Sequence, residues 1–112
     1  MRKVRIRRAA RRELVEAVAW YRTIDVELAR DLVQRVRAAI RRAAEIPGVG
    51  SPVLLPEELA DMEVRRFALE RFRYVIFALI HEEELIILAI AHERRRPGFW
   101  LRRLAGEKEP SR

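Results

Sequence analysis

A chain of 112 residues is long enough for one hydrophobic core and too short for two independent ones. Half of the residues are hydrophobic and 37% are charged, which excludes a disordered chain. The formal net charge is +7, carried almost wholly by arginine, and a field of that sign favours acidic partners: nucleic acid, an acidic protein or an anionic surface.

Residues 3–7 alternate polar and apolar, the period of a half-buried strand with Val4 and Ile6 inward. A helical pattern follows, in which Ala10, Leu14, Ala17, Val18 and Tyr21 recur at three- and four-residue spacing and share one face. Thr23 to Asp25 breaks it, and Asp25 is suited to cap the next helix. That second helix carries a stripe of Leu28, Leu32, Val36, Ile40 and Ala43, and Pro47-Gly48 stops it. The short connection makes the two helices an antiparallel hairpin. Residues 48–60 hold Gly, Pro and Ser without periodicity and read as a loop.

Three strands are expected next, over 63–69, 72–80 and 85–91, with turns at Glu70-Arg71 and from His81 to Glu84. The last two are apolar at nearly every position, as central strands are. The order β-α-α-β-β-β predicts an α+β fold: a helical hairpin on one face of a small, mainly antiparallel sheet. The other face is expected to stay open for a partner or substrate. A single domain is expected over 1–104, with a flexible polar tail over 105–112.

The chain has no cysteine, so disulfides and thiolate metal sites are excluded, and a reducing cytoplasm is the expected location. No apolar run approaches the ~20 residues that span a bilayer. The basic N-terminus is not followed by the long apolar stretch of a secretory signal. His81 and His92 flank the last strand at opposite ends, so no shared metal is expected, and no cofactor motif is present. Gly48-Val-Gly50 lacks the Gly-Lys-Ser/Thr of a phosphate loop, and Ser51 has no histidine near it in sequence.

The segment from Ala91 to Trp100, AHERRRPGFW, is the most specific stretch. It resembles the closing motif of many ParE-type toxins: a histidine ending the last strand, an arginine cluster, then Pro-Gly-aromatic-Trp. Glu13-Leu14 through Trp20-Tyr21, Ala39-Ile40 through Pro47, Val64-Arg65-Arg66 and Phe72-Arg73-Tyr74 are similar to other parts of the same pattern, in the same order. The resemblance is to the RelE/ParE superfamily of type II toxin–antitoxin toxins. It covers about residues 4–104 and implies the RelE-like fold, the same order of elements. Arg73 stands where many relatives carry Pro, and Phe99 where many carry Tyr.

The resemblance implies one of two activities, RelE-like cleavage of mRNA on the ribosome or ParE-like poisoning of DNA gyrase. Cleaving RNA through its 2′-hydroxyl needs an acid, a base and cations for the developing charge. His92 is the candidate acid or base. Arg65 or Arg66 would supply a guanidinium, only one of them facing the site because strand side chains alternate. Glu57, Glu58 or Glu63 would supply a carboxylate. The chain lacks the lysine-rich set and C-terminal tyrosine that RelE-like nucleases tend to use; Tyr74 is mid-strand and Tyr21 helical. The favoured reading is therefore a non-enzymatic ParE-like toxin, neutralised by an acidic, partly disordered cognate antitoxin, with the ribosome and mRNA as the alternative target. A non-toxic basic nucleic-acid-binding domain is the third reading, and no exposed aromatic platform is expected for it. Residues expected to meet target or antitoxin are Arg65, Arg66, His92, Arg94, Arg95, Arg96 and Trp100. Arginine's planar fork suits phosphate and carboxylate. A second role for Trp100 is to pin the tail to the sheet, and one for His92 is to hydrogen-bond a local carbonyl or water.

Overall fold

A computed structural model describes residues 1–108. Strand β1 (Lys3–Ile6) leads into helix α1 (Arg8–Arg22) and helix α2 (Val26–Glu45). Strands β2 (Ser51–Pro52), β3 (Val64–Ala68), β4 (Tyr74–Ile80) and β5 (Glu84–His92) follow, and helix α3 (Leu101–Ala105) closes the described chain. Asp25 does cap α2, accepting from the Glu27 backbone N–H at 2.9 Å. Neither β2 nor α3 carries enough periodicity to announce itself: one is two residues long, the other five.

The sheet order is β1-β5-β4-β3-β2, antiparallel except for β1 beside β5. This is the expected α+β architecture, a helical hairpin on a mixed, mainly antiparallel sheet. The central strands are β4 and β5, which explains their apolar residues on both faces. Observed strand ends lie inside the expected 63–69 and 72–80. Phe72 and Arg73 belong to the turn, where Arg71 takes a left-handed φ of 75°. Its guanidinium donates to Asp31 of α2 at 2.6 Å, a bond that offsets part of the cost of that backbone.

The helices cover one face. Ala10 and Ala17 of α1 and Leu32, Val36 and Ala43 of α2 pack with Phe67, Ile76, Ala78, Leu85, Ile87 and Ile90. The opposite face is not open, contrary to the expectation from sequence. After β5 the chain reverses at Pro97-Gly98, where Gly98 has φ +77°. Trp100 then lies 3% exposed and stacks on Phe77 with centroids 5.1 Å apart. Trp100 and Leu104 form a second apolar cluster with Val64, Leu79, Ile86 and Leu88. A sheet apolar on both sides needs two covers, and α3 is the second.

Between Phe77 and Ala78 the register slips: Ile87 pairs with Ala78 and Ala89 with Phe77, leaving Leu88 as the extra residue of a β-bulge. The slip reverses the facing of β5 beyond Leu88. Ile87 and Ile90 both face the helices, three residues apart rather than two.

Of the expected tail over 105–112, Ala105 is helical and Glu107 is tied to Arg5 and Arg7. Residues 109–112 lie outside the described part. Hydrogen bonds from Arg5 first, and from Arg7, hold the Glu107 carboxyl below the usual glutamate range, against the opposing effect of burial. A depressed folded pKa contributes stability that is present above the unfolded pKa and lost as pH falls through the folded one. Urea midpoints should therefore fall on acidification below about pH 4, and Glu107→Gln should flatten that acid limb. An unchanged limb in the variant would assign the acid loss to other carboxylates. Backbone crowding gives a second test. A Cβ at Gly50 would lie 2.5 Å from the buried Phe67 ring, whereas one at Gly48 meets nothing within 4 Å. Gly50→Ala should cost about 1–3 kcal/mol, and Gly48→Ala should stay within about 0.5 kcal/mol of the parent, both read from chemical unfolding.

Candidate interaction site

β1 pairs with β5 only as far as Ile87, so residues 88–92 form an edge that no strand covers. Helix side chains cap this edge instead. Glu13 of α1 accepts the Ile90 backbone N–H at 3.1 Å, and Arg103 of α3 donates to the Leu88 carbonyl at 3.0 Å. The same Glu13 accepts from Arg103 at 2.9 and 3.1 Å and from Arg95 at 2.6 Å. Its side chain is only 12% exposed, and Arg103 is 18% exposed. One carboxylate thus satisfies an edge N–H and two guanidiniums, and it links helices on opposite faces around the edge. The Arg95 guanidinium also lies 3.9 Å above the Phe99 ring, an arrangement worth about 0.5–2 kcal/mol.

The alternation of β3 settles which arginine faces where. Arg66 pairs with Phe77, on the face covered by Trp100; Arg65 pairs with Ala78, on the face covered by the hairpin. Arg65 is held structurally, donating to Glu63 at 2.7 Å and to the Gly50 carbonyl at 2.7 Å. Arg66 has no ion pair among the described residues and borders a groove of about 720 Å³. Val53, Leu54, Leu55, Phe77 and Trp100 give that groove apolar walls, and Glu93, Arg95 and Pro97 also line it. Leu54 is 98% exposed.

The arginine cluster divides in the same way. Arg95 turns in to Glu13, whereas Arg94 and Arg96 are exposed and unpaired among the described residues. Trp100 is a buried anchor whose face forms part of the groove floor.

His92 lies elsewhere. It pairs with Tyr74 on the hairpin side, with ring centroids 5.7 Å apart, and its Nδ1 accepts the Arg94 backbone N–H at 3.1 Å. That bond leaves Nε2 to carry the proton in the neutral ring. Desolvation raises the Tyr74 phenol above its ordinary pKa, so it stays a hydroxyl donor. His92 and Arg66 therefore stand on opposite faces of the sheet. Arg65 shares the face of His92 but lies two strands away and four residues further along β4. Glu63 is spent on Arg65, and Glu57 and Glu58 form a separate exposed turn. The sequence candidates for RNA cleavage are not brought together.

Two features escaped the sequence reading. Glu13 looks like any helix carboxylate until the bulge and α3 place three donors around it. Trp20 is 59% exposed and lines a cleft with Tyr74 and His92, so the chain does present exposed aromatic surface. Among the described residues no group of three or more His, Cys, Asp or Glu side chains is placed to hold a metal ion. Among the described residues no helix is long and apolar enough to cross a membrane.

The family model for the ParE toxin of the type II toxin–antitoxin system, parDE, matches residues 4–97. Among solved structures, a chain of the chromosomal ParDE TA system from P. aeruginosa has the same fold, with a TM-score of 0.67 at 22% identity, over 82% of this chain and 96% of that one. No curated protein matches significantly.

Removing Glu13 tests its role directly. Glu13→Ala leaves the Ile90 N–H and the poorly exposed Arg103 without their acceptor and should cost about 2–3 kcal/mol, the range for hydrogen bonds to charged groups. Thermal and urea unfolding read the loss. A change below about 0.5 kcal/mol, the scale of a neutral surface substitution, would mean that solvent replaces the carboxylate.

Proposed function

Because the chain belongs to the ParE toxin family, the toxin side of a type II toxin–antitoxin system, we propose that it acts by binding DNA gyrase, without chemistry of its own, and that its antitoxin silences it by covering the same surface. An antitoxin partner follows from the system itself; the target and the surface are the reading put forward here. The observation that carries it is the separation of the candidate catalytic groups. His92 is on the hairpin side, and the unpaired Arg66 is on the other. A general acid acts only within hydrogen-bond reach of the atom it protonates, and one phosphate cannot meet both. What the chain does offer is an apolar groove with cationic residues near it: Arg66 on its wall, and Arg94 and Arg96 at the nearby turn.

Such a surface suits a protein segment carrying an apolar anchor and acidic side chains. Buried apolar anchors give most of the affinity, and complementary charge gives steering and selectivity. The acidic, partly disordered antitoxin segment expected from the family pattern fits this description and would order on binding.

Induction of the chain alone should arrest growth, with DNA-damage signalling and filamentation, and co-expression of the antitoxin should restore growth. Joint replacement of Arg66, Arg94 and Arg96 by Ala should weaken gyrase inhibition, and raised salt should weaken the wild type in the same direction. His92→Ala should leave toxicity unchanged. A nuclease would instead lose roughly 10²-fold or more in that variant, with mRNA cut at the ribosomal A site. Cut mRNA that disappears in His92→Ala would replace gyrase by the ribosome as the target.

A further inference from the structure

We propose a second site on the opposite side of the sheet: the cleft between α1 and the end of β5 binds one unstacked nucleobase of a single-stranded nucleic acid. The cleft is about 260 Å³, below the size class of drug-sized pockets and in the range for a single ring system. Trp20, Tyr74 and His92 line it, with Glu16 and Arg95.

Trp20, Tyr74 and His92 line the cleft, and Tyr21, outside the lining, joins Trp20 to Tyr74 in a chain of edge-to-face contacts. Trp20 meets Tyr21 at 4.9 Å, Tyr21 meets Tyr74 at 6.3 Å, and Tyr74 meets His92 at 5.7 Å. Each contact fixes the next ring, so Trp20 is braced although it is 59% exposed. An indole left this open gains little from the core. It is a hydrophobic face held ready for a flat partner.

Two further features select a nucleobase over a peptide side chain. Six of its nine lining residues are aromatic rings or charged groups, and Ala17, Ile90 and Ala91 are the aliphatic ones. Base stacking asks only for a π-face, which every base supplies. Exposed and unpaired among the described residues, Arg94 follows His92 closely, its backbone N–H bonded to the imidazole. Two residues along from His92, its guanidinium would take the phosphate next to a stacked base. The Glu16 carboxylate is exposed and without an ion partner among the described residues, and it offers an acceptor to an exocyclic amino group. Duplexes hide their bases, so this geometry calls for a single strand.

Arg94 and Arg95 lie close to both surfaces, but Trp20 and Tyr74 belong to the cleft alone, and tests on Trp20 let the two readings fail separately. The test is fluorescence anisotropy of the purified chain with labelled single strands of about 12 nucleotides, DNA and RNA, and with the matching DNA duplex. Single strands should bind more tightly than the duplex and should quench Trp20 emission. The buried Trp100 supplies an unquenched background. Trp20→Ala should lose about tenfold or more in affinity, the lower range of one base stack. Trp20→Phe should keep most of the affinity, because a ring remains. Either variant should melt with the parent, since the side chain is mostly exposed. The tighter of the DNA and RNA arms identifies the source of the strand. Equal binding of duplex and single strand, wild-type affinity in Trp20→Ala, or no binding to any strand would overturn the proposal.

Discussion

Past the end of β1, strand β5 presents backbone groups that no neighbouring strand can satisfy, and the fold depends on how they are met. A buried unpaired N–H or C=O costs on the order of 1–3 kcal/mol. The bulge at Leu88 adds to the problem by breaking the ladder with β4 at the same place. Glu13 and Arg103 solve it together, one accepting from Ile90 and the other donating to Leu88. Since they also pair with each other, the hairpin on one face and α3 on the other are fastened at one point. No buried side-chain polar atom among the described residues lacks a partner.

That fastening divides the arginines by function. Arg5 and Arg7 hold Glu107, Arg71 holds Asp31, Arg65 holds Glu63, and Arg95 and Arg103 hold Glu13. The excess positive charge is therefore not spread evenly over equivalent side chains. Those engaged in the frame are unavailable to a partner without loss of structure. Of the arginines without an ion pair among the described residues, Arg66 borders the apolar groove and Arg94 and Arg96 lie at the turn beside it, where a partner's carboxylate or phosphate would be partly desolvated and its interaction strengthened.

The pleat keeps the two surfaces apart. Arg66 and Phe77 point one way, and Tyr74 and His92 the other. A cationic apolar groove and an aromatic cleft thus lie on opposite sides of β4 and β5, and Arg95 lines both.

Periodicity alone determined the elements that repeat. The Ala10-Leu14-Ala17 face, the Leu32-Val36-Ala43 stripe, the Asp25 cap and the apolar strands β4 and β5 were legible because helix and strand spacing is a local property. The family was legible too, because the segment ending in Pro-Gly-Phe-Trp is contiguous. Only the tertiary structure decided that Trp100 and α3 close the second face, that Arg66 rather than Arg65 borders the groove, and that His92 stands away from both. Each turns on strand register, and a single bulge residue, Leu88, reverses every later side chain on β5. Side-chain facing depends on pairing with residues distant in sequence, and no local pattern in the chain records that pairing.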